Sequence, residues 1–183
     1  MTVVIIAVTV LGVLVLVDLV LTLGVVKRLR THAALIEQAL SARDPLPPIM
    51  APRGATVAPF EARTVDGKTF SLNDLADPTL VGFFSADCPA CGENLPAFLD
   101  RARALGRDRV LAVTHGTTDE VSDLVAKLSA VASVVTEAPD GPLGRAFAVR
   151  GVPALCLVEP TGTVVASGSE MAALPTPADL SRP

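Results

Sequence analysis

The 183-residue chain is half apolar, with a mean hydropathy of +0.53, a net charge of −4 and a pI near 5.1. That is room for one domain with a full core plus an appendage. The absence of Trp, Tyr and any basic face argues against nucleic-acid binding, and three cysteines are too few for a disulfide scaffold and lack the pattern of a zinc site.

The first element is the run Val3–Val26, apolar apart from Thr9, Asp18 and Thr22. It can cross a bilayer, which needs about 20 residues, and exceeds a signal-peptide core of about 7–15. With no basic segment before it and no small-x-small site after Val26, residues 2–26 are expected to form an uncleaved transmembrane anchor. Asp18 lies deep in that run, where a charge costs about 2.5–3.5 kcal/mol on insertion scales. It is either a tolerated polar residue or a contact for a partner helix, such as that of a membrane electron donor. Lys27, Arg28, Arg30 and Arg43 follow the run, so charge bias alone places the C-terminal part in the cytoplasm. Residues 27–55 read as a juxtamembrane helix over Thr31–Ala42 and then a linker. Pro45, Pro47, Pro48 and Pro52 make that linker extended and semi-rigid.

Residues 56–171 read as the globular domain and 172–183 as a loose tail. Phe60–Thr64 and Lys68–Ser71 flank an Asp66-Gly67 turn and predict a hairpin. Ser71 has N-cap chemistry for one helical turn. Leu80–Ser85 predicts a buried strand, Asn94–Leu105 a helix with Pro96 in its first turns, and Val110–Thr114 a second buried strand. Asp119–Val131 has helical spacing, with Val121, Leu124, Val125 and Leu128 on one face. Val134–Thr136 predicts a short strand and Pro142–Phe147 a helical turn. Ala154–Glu159 and Val164–Ser167 are strands around Pro160-Thr161-Gly162. Strands alternating with helices and then a closing hairpin argue an α/β domain with a mixed sheet.

Between the first buried strand and its helix stands Cys88-Pro89-Ala90-Cys91. Two cysteines at i and i+3 where a strand turns into a helix can join in a small disulfide ring. The helix N-terminus favours the first sulfur as a thiolate, the attacking species, while the second, one turn inward, would resolve a mixed disulfide. Two independent core cysteines, or half of a metal site lacking its second pair, are the other readings. Gly151-Val152-Pro153-Ala154 opens a later apolar strand, and such an X-Pro bond can be cis. Cys156 reads as a small buried core residue or as a third redox thiol. His32 and His115 read as ordinary surface or strand-end residues, and Arg101, Arg103, Arg107 and Arg109 as a solvated helix face and its end.

The run Leu80-Val-Gly-Phe-Phe-Ser-Ala-Asp-Cys-Pro-Ala-Cys91, then Leu95-Pro96, then Gly151-Val152-Pro153, resembles a thioredoxin-fold protein. The lead-in Ala58-Pro59-Phe60, Asp66-Gly67-Lys68 and Ser71-Leu72 is similar to the membrane-anchored TlpA/ResA-type thiol–disulfide oxidoreductases. The anchor, the missing Trp and Cys-Pro-x-Cys are similar to the MauD-like branch, which is linked to maturation of a periplasmic enzyme. The resemblance spans roughly residues 55–170. It implies a thioredoxin-like fold, a mixed central sheet flanked by helices, preceded by one transmembrane helix. It implies Cys88 as nucleophile, Cys91 as resolving thiol, and Pro153 as a cis-proline facing the pair, with the Val152 backbone pairing with a bound peptide strand. No cofactor or metal is implied. The partners are a client protein with a cysteine or disulfide and a membrane electron donor. The catalytic domain is expected outside the cytoplasmic membrane, against the charge bias.

Two positions depart from the family pattern. Asp87 stands where most relatives have Trp, and its carboxylate would oppose a nearby thiolate. Gly82 stands where thioredoxins carry a buried Asp, so proton transfer to Cys91 would need water or another group. Two further readings stay open. A peroxiredoxin-like peroxidase would place Ser85 and Val81 where those enzymes have Thr and Pro. A client-binding or assembly module would use its cysteines without turnover.

Overall fold

The computed structural model describes Met1, residues 47–75 and residues 78–176. The expected anchor at 2–26, the helix at Thr31–Ala42 and the end of the expected tail at 177–183 lie outside the described residues. Among the described residues no helix is long and apolar enough to cross a membrane. The chain divides into two units, Met1–Leu46 and Pro47–Pro183, and the described strands and helices all belong to the second.

Strand β1 (Glu61–Arg63) pairs antiparallel with β2 (Thr69–Ser71) around the Asp66-Gly67 turn, where Gly67 takes a φ of 83° that favours glycine. One 3-10 turn, Leu72–Asp74, comes next, and Asp74 returns to accept from the Ser71 N–H and hydroxyl, each at 2.7 Å. Strand β3 (Thr79–Ser85) is buried at every position from Thr79 to Phe84. Helix α1 (Pro89–Leu105) leads to β4 (Val110–His115), and helix α2 (Thr118–Ser129) to β5 (Ser133–Glu137). The short α3 (Pro142–Ala146) precedes β6 (Ala154–Val158) and β7 (Val164–Gly168). The sheet order is β5-β4-β3-β6-β7. β3, β4 and β5 run parallel, as helical crossovers require, and β6 and β7 run antiparallel to their neighbours.

A sheet buried on both faces needs apolar residues on both. Leu80 and Phe84 of β3 meet Phe98 and Ala102 of α1 and Leu128 of α2 on one face. Val81 and Phe83 meet Phe60, Phe70, Leu143 and Phe147 on the other. All six phenylalanines of the chain are in these two layers. Phe84 and Phe98 pack edge to face at 4.9 Å, and Phe83 against Phe147 at 5.5 Å.

Three expectations are revised by the structure. Helix α1 starts at Pro89 rather than Asn94, because Cys88 is its N-cap and a proline at the first helical position has no N–H to waste. Pro96 therefore lies inside the helix. Second, the part of the proline-rich stretch that is described packs on the domain. Met50 is 1% exposed, Ala51 N–H donates to Phe147 O at 2.8 Å, and Gly54 N–H donates to Val164 O at 2.8 Å. Third, three of the arginines assigned to a solvated face bind backbone carbonyls. Arg101 donates to Pro175 O at 2.9 Å, Arg107 to Ala132 O at 3.1 Å and Arg109 to Pro78 O at 3.3 Å, so residues as late as Pro175 are tied down.

Phe98 has no exposed surface and closes the layer under α1. Phe98→Ala should destabilise the domain by about 3–5 kcal/mol, read as a lower denaturant midpoint with an unchanged slope.

Candidate active site

The site is made where buried β3 ends. Ser85 is the last strand residue, and after Ala86 and Asp87 the chain enters α1 through Cys88. A strand that exits the core beside a helix start leaves its connecting residues at the surface with the helix N–H groups aimed at them. Cys88, half-buried, is bonded to Cys91, which is 2% exposed in the first turn, with their Cα atoms 5.2 Å apart. The Cys91 N–H donates to Cys88 Sγ at 3.1 Å, and the Cys88 carbonyl accepts from Gly92 N–H at 3.2 Å. No acidic residue stands in the first turn of α1. Helix dipole and backbone donor therefore both favour negative charge on the Cys88 sulfur when the pair is reduced.

Val152 and Pro153 come from the bend just before β6, brought beside the disulfide because β6 pairs antiparallel with β3. The Val152–Pro153 peptide is cis, Pro153 is buried, and the Val152 carbonyl oxygen lies 3.6 Å from Cys88 Sγ. All four residues singled out in the sequence thus meet at one edge of the sheet. Cys156 does not join them. It lies in the core as Cα partner of Val81, fully buried, and burial pushes its thiol well above the ordinary range, so it is held protonated.

Asp87 is exposed and accepts the Ser85 hydroxyl, which holds its carboxyl below the usual range. Gly82 has a packing reason. A Cβ there would come within 2.6 Å of Phe98 and 2.7 Å of Phe84, so this core has no room for a buried carboxylate beneath Cys91. The ionisable groups near Cys91 come instead from α2. Glu120, Asp123 and Lys127 line a hollow that also holds Cys88 and Cys91. Asp123 and Lys127 stand three and seven residues after Glu120, one helix face beside the apolar one, a signal present in the sequence that nothing there ties to the cysteines. Glu120 is exposed and caps α2. It accepts from the Thr117 N–H and hydroxyl, both at 2.8 Å, and the backbone bond leads in lowering its pKa.

His115 ends β4 as Cα partner of Ser85 and Glu137 and is 6% exposed, and its Nε2 has no hydrogen-bond partner among the described residues. Burial lowers its pKa, partly offset by the Glu137 charge. Among the described residues no group of three His, Cys, Asp or Glu could hold a metal ion.

This geometry makes two mutations informative. Gly82→Asp should fail to restore a proton-relaying carboxylate and should destabilise the fold by at least the about 1–3 kcal/mol of overpacking, visible in thermal unfolding. His115 binds a proton less readily folded than unfolded, so stability should be full above pH 6.5, the ordinary value, and fall as acidification passes from there through its lower folded value. Denaturation of His115→Gln should lack that component.

The AhpC/TSA family model matches residues 54–167. The pneumococcal exposed lipoprotein thioredoxin (Etrx1) of Streptococcus pneumoniae is similar at 25% identity and a TM-score of 0.51, over 62% of this chain and 90% of that one. The thioredoxin domain of a thiol-disulfide oxidoreductase from Bacteroides vulgatus matches at 18% identity and a TM-score of 0.53, over 66% and 91%. A thiol:disulfide interchange protein from Bacteroides sp. matches at 20% and 0.52, over 64% and 81%. The latter two show a shared fold. No curated protein sequence matches the chain. With a thioredoxin-like fold and a Cys-x-x-Cys disulfide at a helix N-terminus, the chain belongs to the AhpC/TSA family.

Proposed function

We propose that the chain is a membrane-anchored reductase of client protein disulfides, of the TlpA/ResA type and nearest the MauD-like branch, with its catalytic domain outside the cytoplasmic membrane. The observation that carries the chemistry is the Cys88–Cys91 disulfide at the α1 N-terminus, with the Cys91 N–H on Cys88 Sγ at 3.1 Å. The apolar run Val3–Val26 supports the anchor.

In the proposed reaction the Cys88 thiolate attacks one sulfur of the client disulfide. An S–S bond forms between Cys88 and the client, and the client's other sulfur leaves as a thiolate. The Cys91 sulfur, losing its proton, then attacks Cys88 Sγ, closing the Cys88–Cys91 bond and releasing the second client thiolate. The client gains two electrons from this chain, and its two thiolates take up the one proton lost by Cys91 and one from solvent. A membrane dithiol donor returns the pair to the reduced state. Val152 supplies backbone pairing to the client strand, with its carbonyl already 3.6 Å from Cys88 Sγ, and Pro153 sits beside it. The proton lost by Cys91 passes through the hollow lined by Glu120, Asp123 and Lys127.

The family match gives a peroxidase reading its support. Against it, Ser85 donates its hydroxyl to Asp87 and is not free for a peroxide.

Titration of the full-length protein in thiol/disulfide buffers, read by alkylation mass shift, tests the proposal. A reversible two-electron transition near about −270 mV supports a reductase, and one near about −120 mV an oxidant. Cys88→Ser should abolish exchange, and Cys91→Ser should accumulate a mixed disulfide with the client. Oxidation of Cys88 by peroxide faster than by a disulfide would replace this reading with the peroxidase one.

A further inference from the structure

The loop from α3 to β6, which leads into the bend at Val152 and Pro153, is held by a segment from the start of the domain. The Ile49 carbonyl accepts from the Arg150 N–H, and the Ala51 N–H donates to the Phe147 carbonyl, both at 2.8 Å. Met50 stands between these two bonds and is 1% exposed. Ile49–Ala51 is thus a strap across residues 147–150. The Ile49 side chain is half-buried and packs on the core layer that holds Phe83 and Phe147. It also lies against Gly151, where a Cβ would stand 3.8 Å from it. The strap precedes the stretch that the family model matches, which begins at residue 54.

Where the strap grips decides what it can do. The Val152 carbonyl, 3.6 Å from Cys88 Sγ, belongs to the backbone that would pair with a client. Two residues after it, Ala154 opens β6 opposite Phe83. Two residues before it, Arg150 is bonded to Ile49. The next bond back, from the Val149 N–H to the Gly144 carbonyl at 2.8 Å, closes the loop onto its own helix α3. Ala148 gives a second observation. It takes a φ of 49°, a left-handed conformation that a residue with a Cβ keeps only where its surroundings impose it, and such residues gather at active sites and ligand clamps. The strap bonds at residues 147 and 150 bracket it.

We propose that Ile49–Ala51 is a positioning element of the active site, which holds the Val152 backbone where a client strand can pair with it. This assignment rests on the reading that Val152 pairs with a client whose disulfide Cys88 attacks. Exchange with a peptide then depends on the strap, because a pairing group helps only when it is correctly placed. The reactivity of the Cys88 sulfur does not depend on it. That sulfur is set by the Cys91 N–H and the start of α1, whereas the strap bonds go to Phe147 and Arg150. A disulfide without a peptide backbone has nothing to pair with Val152 and is indifferent to its placement.

The test uses reduced full-length protein in neutral detergent and two oxidised substrates, a disulfide-closed peptide and hydroxyethyl disulfide, which has no backbone amides. The readout is the ratio of their second-order exchange rate constants. Ile49→Ala removes the side chain that seats the strap against Gly151, and Ala51→Pro removes the N–H given to Phe147. Each should lower the ratio by about tenfold, as a misplaced binding group does. The rate with hydroxyethyl disulfide and the pH dependence of Cys88 alkylation should stay as in the unmodified protein. Ile49→Ala, the milder change, decides the matter alone if Ala51→Pro does not fold. Val110→Ala, a core change at the opposite end of β4 from the site, should lower the denaturant midpoint without moving the ratio. A ratio unmoved in the folded strap variants would overturn the positioning role while leaving exchange intact. A ratio that falls as far in Val110→Ala would overturn it too, as a general effect of lost stability. An unmodified protein that reacts no faster with the peptide than with hydroxyethyl disulfide would overturn pairing at Val152, and the strap's role with it. Reaction with neither would overturn the exchange reading itself.

Discussion

The constraint on which the site depends is the burial of β3 on both faces. A strand with no exposed position from Thr79 to Phe84 must be flanked by strands and covered by helices. Its parallel pairing with β4, and that of β4 with β5, brings the C-terminal ends of all three to one edge. Ser85, His115 and Glu137 stand in register there. The segments leaving that edge begin helices, with N-caps at Cys88, Thr117 and Gly141. Because β6 is antiparallel, its N-terminal end and the Pro153 before it reach the same edge. The disulfide, the Val152 carbonyl and the acidic rim are thus consequences of one register. The crevice outside the carboxyl ends of parallel strands is where α/β sheets bind ligands.

How this edge handles its helix ends differs from one helix to the next. At α2, Glu120 reaches back to the Thr117 N–H and hydroxyl. At α3, Glu137 accepts from the Leu143 and Gly144 N–H groups at 3.0 and 2.7 Å. In each case a carboxylate answers the orphan N–H groups that every helix start presents. At α1 no carboxylate among the described residues does so, and Cys88 Sγ takes the Cys91 N–H instead. A sulfur in the place of a capping carboxylate is a sulfur in a position suited to negative charge, which is the physical content of a reactive thiol here.

Much of this can be read from residues alone where the signal is local. Cys88-Pro89-Ala90-Cys91 at a strand–helix junction, the Asp66-Gly67 hairpin, the capping chemistry of Ser71 and the apolar face of α2 are each set by neighbours within one turn or one pair of strands. What escapes a reading of the residues is non-local. Glu120 is distant in sequence from the cysteines and meets them only through the fold. The arginines bind carbonyls of segments far away in the chain, so their pattern along the sequence resembles an exposed face. The described part of the proline-rich stretch is legible as extended, but not as docked, since its partners are the Phe147 and Val164 carbonyls. Gly82 stands out in the sequence as a missing acid, and only the packing of Phe84 and Phe98 against it explains the absence.

Asp87 and Glu120 raise an apparent contradiction, since carboxylates near a thiol oppose its ionisation while the helix start favours it. Range and screening decide between them. The backbone donor lies 3.1 Å from the sulfur, inside the first helical turn, and a contact of that kind is not screened by solvent. Both carboxylates are exposed, so water and salt screen their charges. The N-terminal donor therefore governs the sulfur, and the rim charges weigh more on what approaches it.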